Sequence, residues 1–273
     1  MAAFKSIVSF CKDCIYLFKE KPTQKTSQQS DFKSASDLNT SSNKDNKIFI
    51  TITKSRYEFS HGKKFKNTPK WIVVHYTACP GVSARGMCKA MSKNEGASSH
   101  FYVDEKSIFS SVPLDYIAWH VASGQCAQPI KGKTLSLEEL SNYKSKTWRY
   151  DLAAKSHLQW KAEGEDFTGN SVSIGVDLCV KKKNLSTKKA TDNDWYFEDE
   201  AVENAAKLIA YLSKEYNIDE SHIITHCMAT GKLCPTVWVS KTDGDGLDEL
   251  WFDFKKRIAK YKESESIVKY VED

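Results

Sequence analysis

The chain has 273 residues, a formal net charge of +5 and a pI of about 8.6. Apolar residues make up 40% of it and aromatic residues 12%, so it can bury a substantial core, and its length suits one domain with extensions or two small domains. Basic and acidic residues are interspersed, and the sequence contains neither an aromatic-basic motif nor a helix-turn-helix pattern. The composition therefore argues against a nucleic-acid partner and suits a polyanionic surface.

Residues 1–21 have the pattern of an amphipathic helix. Apolar side chains recur at helical spacing, while Lys5, Lys12 and Lys19 lie seven residues apart on another stripe. The segment is too short and too polar to span a membrane, and it lacks the apolar stretch and small-residue cleavage site of a signal peptide. The alternatives are contact with a membrane surface and docking onto a partner or onto the protein itself.

The next segment has a different composition. Residues 22–46 are rich in Ser, Thr, Gln, Asn, Asp and Lys, which predicts a flexible linker. A folded domain is predicted over 47–262, followed by a C-terminal tail over 263–273 that frays. An insertion at 125–170 carries Trp148, Tyr150 and Trp160, which either stack on sugar rings or form a satellite core.

The predicted elements of the domain alternate between strands and helices. In chain order they are a strand at 48–52, a buried strand at 71–77, a helix from an N-cap at Ser83 to Met91, a hairpin at 100–112, a strand at 171–180, a helix at 198–216, a strand at 223–226 and a terminal helix near 250–258. This order predicts an α/β fold with a single mixed β-sheet and flanking helices.

Three residues stand out as candidate metal ligands. His75 and His226 each come at the end of a short apolar strand, where a side chain can point from the sheet edge into a cleft, and Cys234 follows His226 by eight positions. Two imidazoles and one thiolate supply three zinc ligands and leave a fourth position for water, as in catalytic zinc sites. A lone histidine at a strand end is more often structural, so the combination matters more than each residue.

The motifs around these residues resemble those of the zinc-dependent N-acetylmuramoyl-L-alanine amidases, a family that includes phage endolysins, bacterial cell-wall amidases and peptidoglycan recognition proteins. The resemblance extends over about residues 48–236. The matching runs are His-Tyr-Thr-Ala at 75–78, Ala-Ser-Ser-His-Phe at 97–101, Trp-His at 119–120 and Gly-Lys-Leu-Cys-Pro at 231–235.

The resemblance implies that His75, His226 and Cys234 hold Zn²⁺ and that the amide between N-acetylmuramic acid and L-alanine is cleaved. It also implies proton transfer by Asp177, where similar enzymes carry a Glu, and stabilisation of an oxyanion by Lys232. Asp177 is one methylene shorter than that Glu. Other branches carry a Tyr where this chain has Ser99.

His100 and His120 are predicted to line the cleft and orient substrate, the alternative being structural packing. The leading hypothesis is an enzyme whose partners are peptidoglycan and muropeptides. A recognition module on the same fold and a structural protein without hydrolysis are the alternatives. We expect synthesis in the cytoplasm and action at the cell wall after export or lysis.

Overall fold

The computed structural model describes residues 46–145, 147–239 and 246–273. The predicted helix over 1–21 and all but the last residue of the predicted linker over 22–46 lie outside these ranges. No helix within them is long and apolar enough to cross a membrane.

The described residues form a seven-stranded sheet, a two-stranded hairpin and six α-helices. The strands are β1 (Lys47–Lys54), β2 (Trp71–Tyr76), β3 (Phe101–Val103), β4 (Ile108–Ser110), β5 (Ser173–Leu178), β6 (Lys181–Lys182), β7 (Trp195–Tyr196), β8 (Ile223–Thr225) and β9 (Glu265–Glu272). The helices are α1 (Ala84–Met91), α2 (Leu137–Ser141), α3 (Trp148–Ala162), α4 (Asp199–Glu215), α5 (His226–Thr230) and α6 (Glu249–Lys262).

The large sheet has the order β8-β2-β5-β3-β4-β1-β9, and β6 pairs with β7. All neighbours in the large sheet are parallel except β3 and β4, which form the predicted hairpin. The predicted mixed α/β sheet is therefore confirmed. β2 lies between two parallel neighbours and all six of its residues are buried, as its continuous apolar run predicts.

The alternation of side chains along the strands gives the sheet two different faces. One face carries Ile72, Val74 and their neighbours and is covered by α4 and α6, which bury Ile209, Leu212 and Phe254 against it. Full burial of each such side chain stabilises the fold by roughly 1.5–3 kcal/mol. The other face is covered by α3 at one end and by α1 at the other, and the functional residues lie between these two covers.

The structure decides one alternative about the outer segments and corrects one prediction. The predicted insertion over 125–170 contains α2 and α3, and Trp160 is 3% exposed and packs against Trp71 and Phe167. Trp160 therefore belongs to the core. The predicted frayed tail contains β9, which pairs in parallel with β1 over eight positions. Its apolar residues form two adjacent pairs, Ile267-Val268 and Tyr270-Val271, and do not alternate, so the sequence pattern did not separate an edge strand from a tail.

Candidate metal centre

The three candidate ligands are positioned by different elements at one edge of the sheet. His75 is the fifth residue of β2, and His226 is the first residue of α5, immediately after β8. The Thr225 hydroxyl caps α5 by accepting a hydrogen bond from the Met228 N–H at 3.2 Å. Cys234 is held in the following loop, where its carbonyl accepts a 2.9 Å hydrogen bond from the Cys227 N–H. Parallel strands bring their carboxyl ends together, which explains why residues 151 positions apart meet here.

The ligating atoms of the three residues converge on one point. The Nδ1 atoms of His75 and His226 are 3.0 Å apart, and the Cys234 Sγ lies 3.8 Å from His75 Nδ1. All three atoms lie within 4.8 Å of one another. Tetrahedral zinc at its usual bond lengths places two nitrogens about 3.3 Å apart and a nitrogen and a sulfur about 3.6 Å apart. The cluster therefore fits a zinc ion within a few tenths of an ångström.

The electrostatics of the cluster favour a cation over protons. Burial, the neighbouring imidazoles and the Lys232 charge hold the pKa of His75 well below its usual range, and burial and Lys232 do the same for His226. Both imidazoles are thus neutral and offer a lone pair. Burial raises the pKa of Cys234 to about 12, so the thiol needs a bound cation to release its proton at neutral pH.

Asp177 lies directly beside this cluster. It pairs in register with His75 across β2 and β5, so both side chains leave the same face of the sheet. The residue is half-buried, and burial raises the pKa of its carboxyl to about 6, with the Ser99 hydroxyl and the Lys232 charge opposing the shift. Such a carboxyl is largely ionised at neutral pH and can still accept a proton.

Lys232 is exposed and lies two residues before Cys234. Its charge lowers the pKa values of His75, His226, Asp177 and Cys234, which places the ammonium within electrostatic reach of the whole cluster. Gly231 precedes it in the left-handed conformation at φ 75° and ends α5. A Cβ at Gly231 would lie 2.3 Å from the Tyr150 ring, so only glycine fits this turn.

His120 is half-buried at the edge of the cluster, and its Nδ1 lies 3.0 Å from the Nε2 of His75. His75 thus points one ring nitrogen at the cluster and the other at His120. The Trp-His motif at 119–120 was predicted to orient substrate or a metal-bound group, and the structure places His120 against a candidate metal ligand.

His100 lies elsewhere than predicted. It is fully buried, its Nδ1 accepts a 2.9 Å hydrogen bond from the Gly175 N–H, and its Nε2 lies 3.0 Å from the Tyr116 carbonyl oxygen. Both ring nitrogens are engaged by the backbone, and burial lowers the pKa of the ring to about 4. The prediction that His100 lines the cleft is therefore wrong, because the ring joins β5 to the loop before Ile117.

His157 is a second buried histidine whose ring contacts the backbone. It is 1% exposed, and its Nε2 lies 2.8 Å from the Ala229 carbonyl oxygen, so it joins α3 to α5. A buried histidine on a helix whose sequence is only weakly amphipathic has no pattern that distinguishes it from a solvated one.

Two residues near the site were not singled out from the sequence. Gly175 lies in the middle of β5, and a Cβ there would lie 2.6 Å from the His120 Cγ and 2.9 Å from the Ser99 Oγ. A glycine inside a strand signals the close approach of another group, and this signal was available. Asn170 is 6% exposed, and its side-chain oxygen accepts hydrogen bonds from the backbone of residues 120–122. No local pattern identifies that role.

A site with nitrogen and sulfur donors beside a carboxylate and a cation has the groups that metal-assisted hydrolysis requires. The family described as N-acetylmuramoyl-L-alanine amidase (Amidase_2) matches residues 65–237. This match spans more than half of the chain, and the chain belongs to that family.

Two amidase sequences agree with this assignment. The N-acetylmuramoyl-L-alanine amidase CwlL of Bacillus licheniformis is 30% identical over 178 residues, which is 63% of this chain and 37% of CwlL. The N-acetylmuramoyl-L-alanine amidase BlyA of Bacillus subtilis (strain 168) is 26% identical over 210 residues, which is 76% of this chain and 46% of BlyA. Each match therefore covers less than half of the relative's own length. A mutant endolysin from Bacillus subtilis superposes with a TM-score of 0.48 and 22% identity, over 77% of this chain and 99% of that one.

Proposed function

We propose that this protein is a zinc-dependent hydrolase that cleaves the amide between N-acetylmuramic acid and the L-alanine of the stem peptide in peptidoglycan. The observation that carries the proposal is the convergence of two imidazole nitrogens and one cysteine sulfur beside the ionisable carboxyl of a half-buried residue, Asp177. Membership of the amidase family supports the same reaction.

His75, His226 and Cys234 would hold the metal through Nδ1, Nδ1 and Sγ. When bound, zinc lowers the pKa of a coordinated water towards about 7 and polarises a carbonyl oxygen. Three protein ligands leave the fourth position for that water. The residues around the cluster supply the other requirements of amide hydrolysis, which are a proton acceptor, a proton donor to the leaving amine and a stabilising positive charge.

Asp177 is the residue that moves the proton. As a carboxylate it accepts a proton from the attacking water while the water oxygen bonds to the scissile carbonyl carbon. It then donates the same proton to the nitrogen of L-alanine as the C–N bond breaks. The products are the carboxyl of the lactyl group and the free amino group of the stem peptide, so the atoms and charges balance.

Lys232 supports the same step through its charge. Its ammonium carries a fixed positive charge near the point where negative charge develops on the carbonyl oxygen. Fixed charges of this kind accelerate the reaction because they need no reorganisation as the oxygen becomes negative.

The test is release of stem peptide from purified muropeptides, followed by mass spectrometry with and without a chelator. We expect free peptide that begins at L-alanine, loss of this product with chelator, and recovery when zinc is added back. Metal content is measured on the same sample. Absence of product from a chain that holds one zinc ion would contradict the proposal and favour a module that binds muropeptide without cleaving it.

A further inference from the structure

We propose that Asn170 is a positioning residue for the metal centre, because it holds the loop at 120–122 whose first residue, His120, orients the ligand His75. This inference rests on the proposed zinc site and concerns residues outside its ligand set. It assigns a role to a side chain that touches neither the metal position nor the cleft.

One side-chain oxygen of Asn170 accepts hydrogen bonds from three consecutive backbone amides. Its Oδ1 accepts hydrogen bonds from the N–H groups of His120 at 3.1 Å, Val121 at 2.9 Å and Ala122 at 3.2 Å. The Asn170 N–H in turn donates to the Ala122 carbonyl at 2.6 Å. Ala122 has φ 115°, a conformation that a non-glycine residue adopts only when its surroundings enforce it. The loop is thus held in a strained shape by one buried amide.

The first residue of this loop faces one ligand. His120 Nδ1 lies 3.0 Å from His75 Nε2, and His120 Nε2 lies 3.3 Å from both the carbonyl oxygen and the hydroxyl of Ser173. The Ser173 carbonyl oxygen can only accept a hydrogen bond, and the Ser173 hydroxyl donates its own proton to the Gly169 carbonyl oxygen at 2.9 Å. The proton of the neutral His120 ring therefore lies on Nε2, and Nδ1 is left to accept.

This arrangement determines the tautomer of His75. If His120 Nδ1 accepts, then His75 Nε2 carries the proton and His75 Nδ1 carries the lone pair that a metal needs. The Ser173 carbonyl thereby selects, through the His120 ring, the His75 tautomer that can bind a metal. Metal-bound histidines generally require such a partner on the second nitrogen.

The second residue of the loop faces the other ligand. The Val121 backbone raises the pKa of the neighbouring His226 ring, whose Nδ1 lies 3.0 Å from His75 Nδ1. The loop therefore supports His75 through His120, and Asn170 supports the loop. Gly175 completes the arrangement, since any side chain there would occupy the space of the His120 ring.

The experiment compares Asn170→Leu, which removes the acceptor at nearly constant volume, with Asn170→Asp, which retains it. Zinc affinity of the full-length chain is measured by competition with a chromophoric chelator, and the Co²⁺-substituted protein is followed by its visible absorption. Asn204→Leu is the matched control, because Asn204 donates to the Asp104 carbonyl away from the metal centre.

We expect Asn170→Leu to weaken zinc binding about 10- to 100-fold and to alter the Co²⁺ spectrum. Asn170→Asp and Asn204→Leu should retain affinity within about threefold of the unmodified chain, well below the effect expected for a lost outer-sphere partner. Unchanged zinc affinity and an unchanged spectrum in a folded Asn170→Leu protein would overturn the inference, even if its melting temperature fell.

A second pair of variants covers the case in which Asn170→Leu does not fold. His120→Asn keeps an acceptor near His75 Nε2 and His120→Leu removes it, so the inference requires weaker zinc binding for His120→Leu than for His120→Asn. Equal affinities would overturn it. An unmodified chain that binds no zinc would instead contradict the proposed function, so the two failures are distinguishable.

Discussion

His75 and Asp177 occupy paired positions on neighbouring parallel strands, so a candidate metal ligand and a carboxyl leave the sheet side by side. Tyr102 pairs with Asp177 from the next strand, is buried, and closes the other flank of the carboxyl. The distance between ligand and proton acceptor is therefore set by the spacing of the strands, about 4.8 Å, and not by a flexible loop. This geometry brings the shorter Asp side chain close to the cluster.

Replacing Asp177 with Asn should abolish most of the cleavage without removing the metal. The amide cannot accept the proton, and loss of a general base typically costs about 100- to 10,000-fold in rate. Muropeptide cleavage and bound zinc are measured on the same preparation. Asp177→Glu, which keeps the carboxyl, should retain more activity than Asp177→Asn, and Asp115→Asn is a control at an exposed carboxyl that pairs with Lys64. Equal rates for Asp177→Asn and the control would exclude Asp177 from proton transfer.

The acid limb of the pH profile should report Asp177. Burial raises the pKa of this carboxyl to about 6, and activity requires the ionised form, so kcat/KM should fall as the pH drops through that region. A bound cation moves the limb to lower pH. Lys232→Gln should move the limb to higher pH, because the Lys232 charge lowers the pKa of Asp177. If the acid limb has the same midpoint in Lys232→Gln as in the unmodified chain, a group other than Asp177 determines that limb.

Removal of the metal should destabilise the fold as well as stop the reaction. A ligand at 100 times its Kd stabilises the native state by about 2.7 kcal/mol, and chelation removes that contribution. We expect the melting temperature to fall when chelator is added and to recover with zinc. Cys234→Ser should show little of this difference, whereas Cys126→Ser, at an exposed free thiol, should keep all of it. A chelator effect of full size in Cys234→Ser would remove Cys234 from the ligand set.

Gly175→Ala should impair the site through His120. The added Cβ would lie 2.6 Å from the imidazole, and overpacking of this kind costs about 1–3 kcal/mol when neighbours must move. We expect weaker zinc binding and slower cleavage in a protein that still folds. Gly86→Ala in α1 is the control, because its Cβ meets only the Val82 and Ser83 side chains, neither of which belongs to the cluster. Similar losses of zinc affinity in both variants would point to general destabilisation.

The C-terminal strand should contribute to stability and not to metal binding. β9 pairs with β1 over eight positions, and Asp273 forms a 2.9 Å ion pair with Arg85. Deleting residues 265–273 should lower the melting temperature by about 2–4 °C for each kcal/mol lost. Zinc affinity should stay unchanged, as it should for the point variant Lys269→Ala. No change in melting temperature would mean that β9 adds nothing to the folded domain.

Local patterns in the sequence predicted the central strands, α1, α4, α6 and the candidate ligands, and missed α2, α3 and β9. The apolar run of β2 predicts a buried central strand, the 3.6-residue periodicity of α4 predicts its buried face, and Ser83 predicts the start of α1. Each of these signals depends on neighbours in the chain. The motifs around His75 and Cys234 indicated a metal site because the residue types alone show which donor atoms, imidazole nitrogen and thiolate sulfur, are available.

The tertiary structure alone decided how those residues are supported. Nothing in the sequence around Asn170 indicates that its side chain binds the backbone 50 residues earlier, and nothing around His100 indicates that both of its nitrogens are used by the backbone. These contacts depend on sheet order and on loop paths between distant segments. A residue's type and spacing determine which bonds it can form, and only the folded chain determines which partner reaches it.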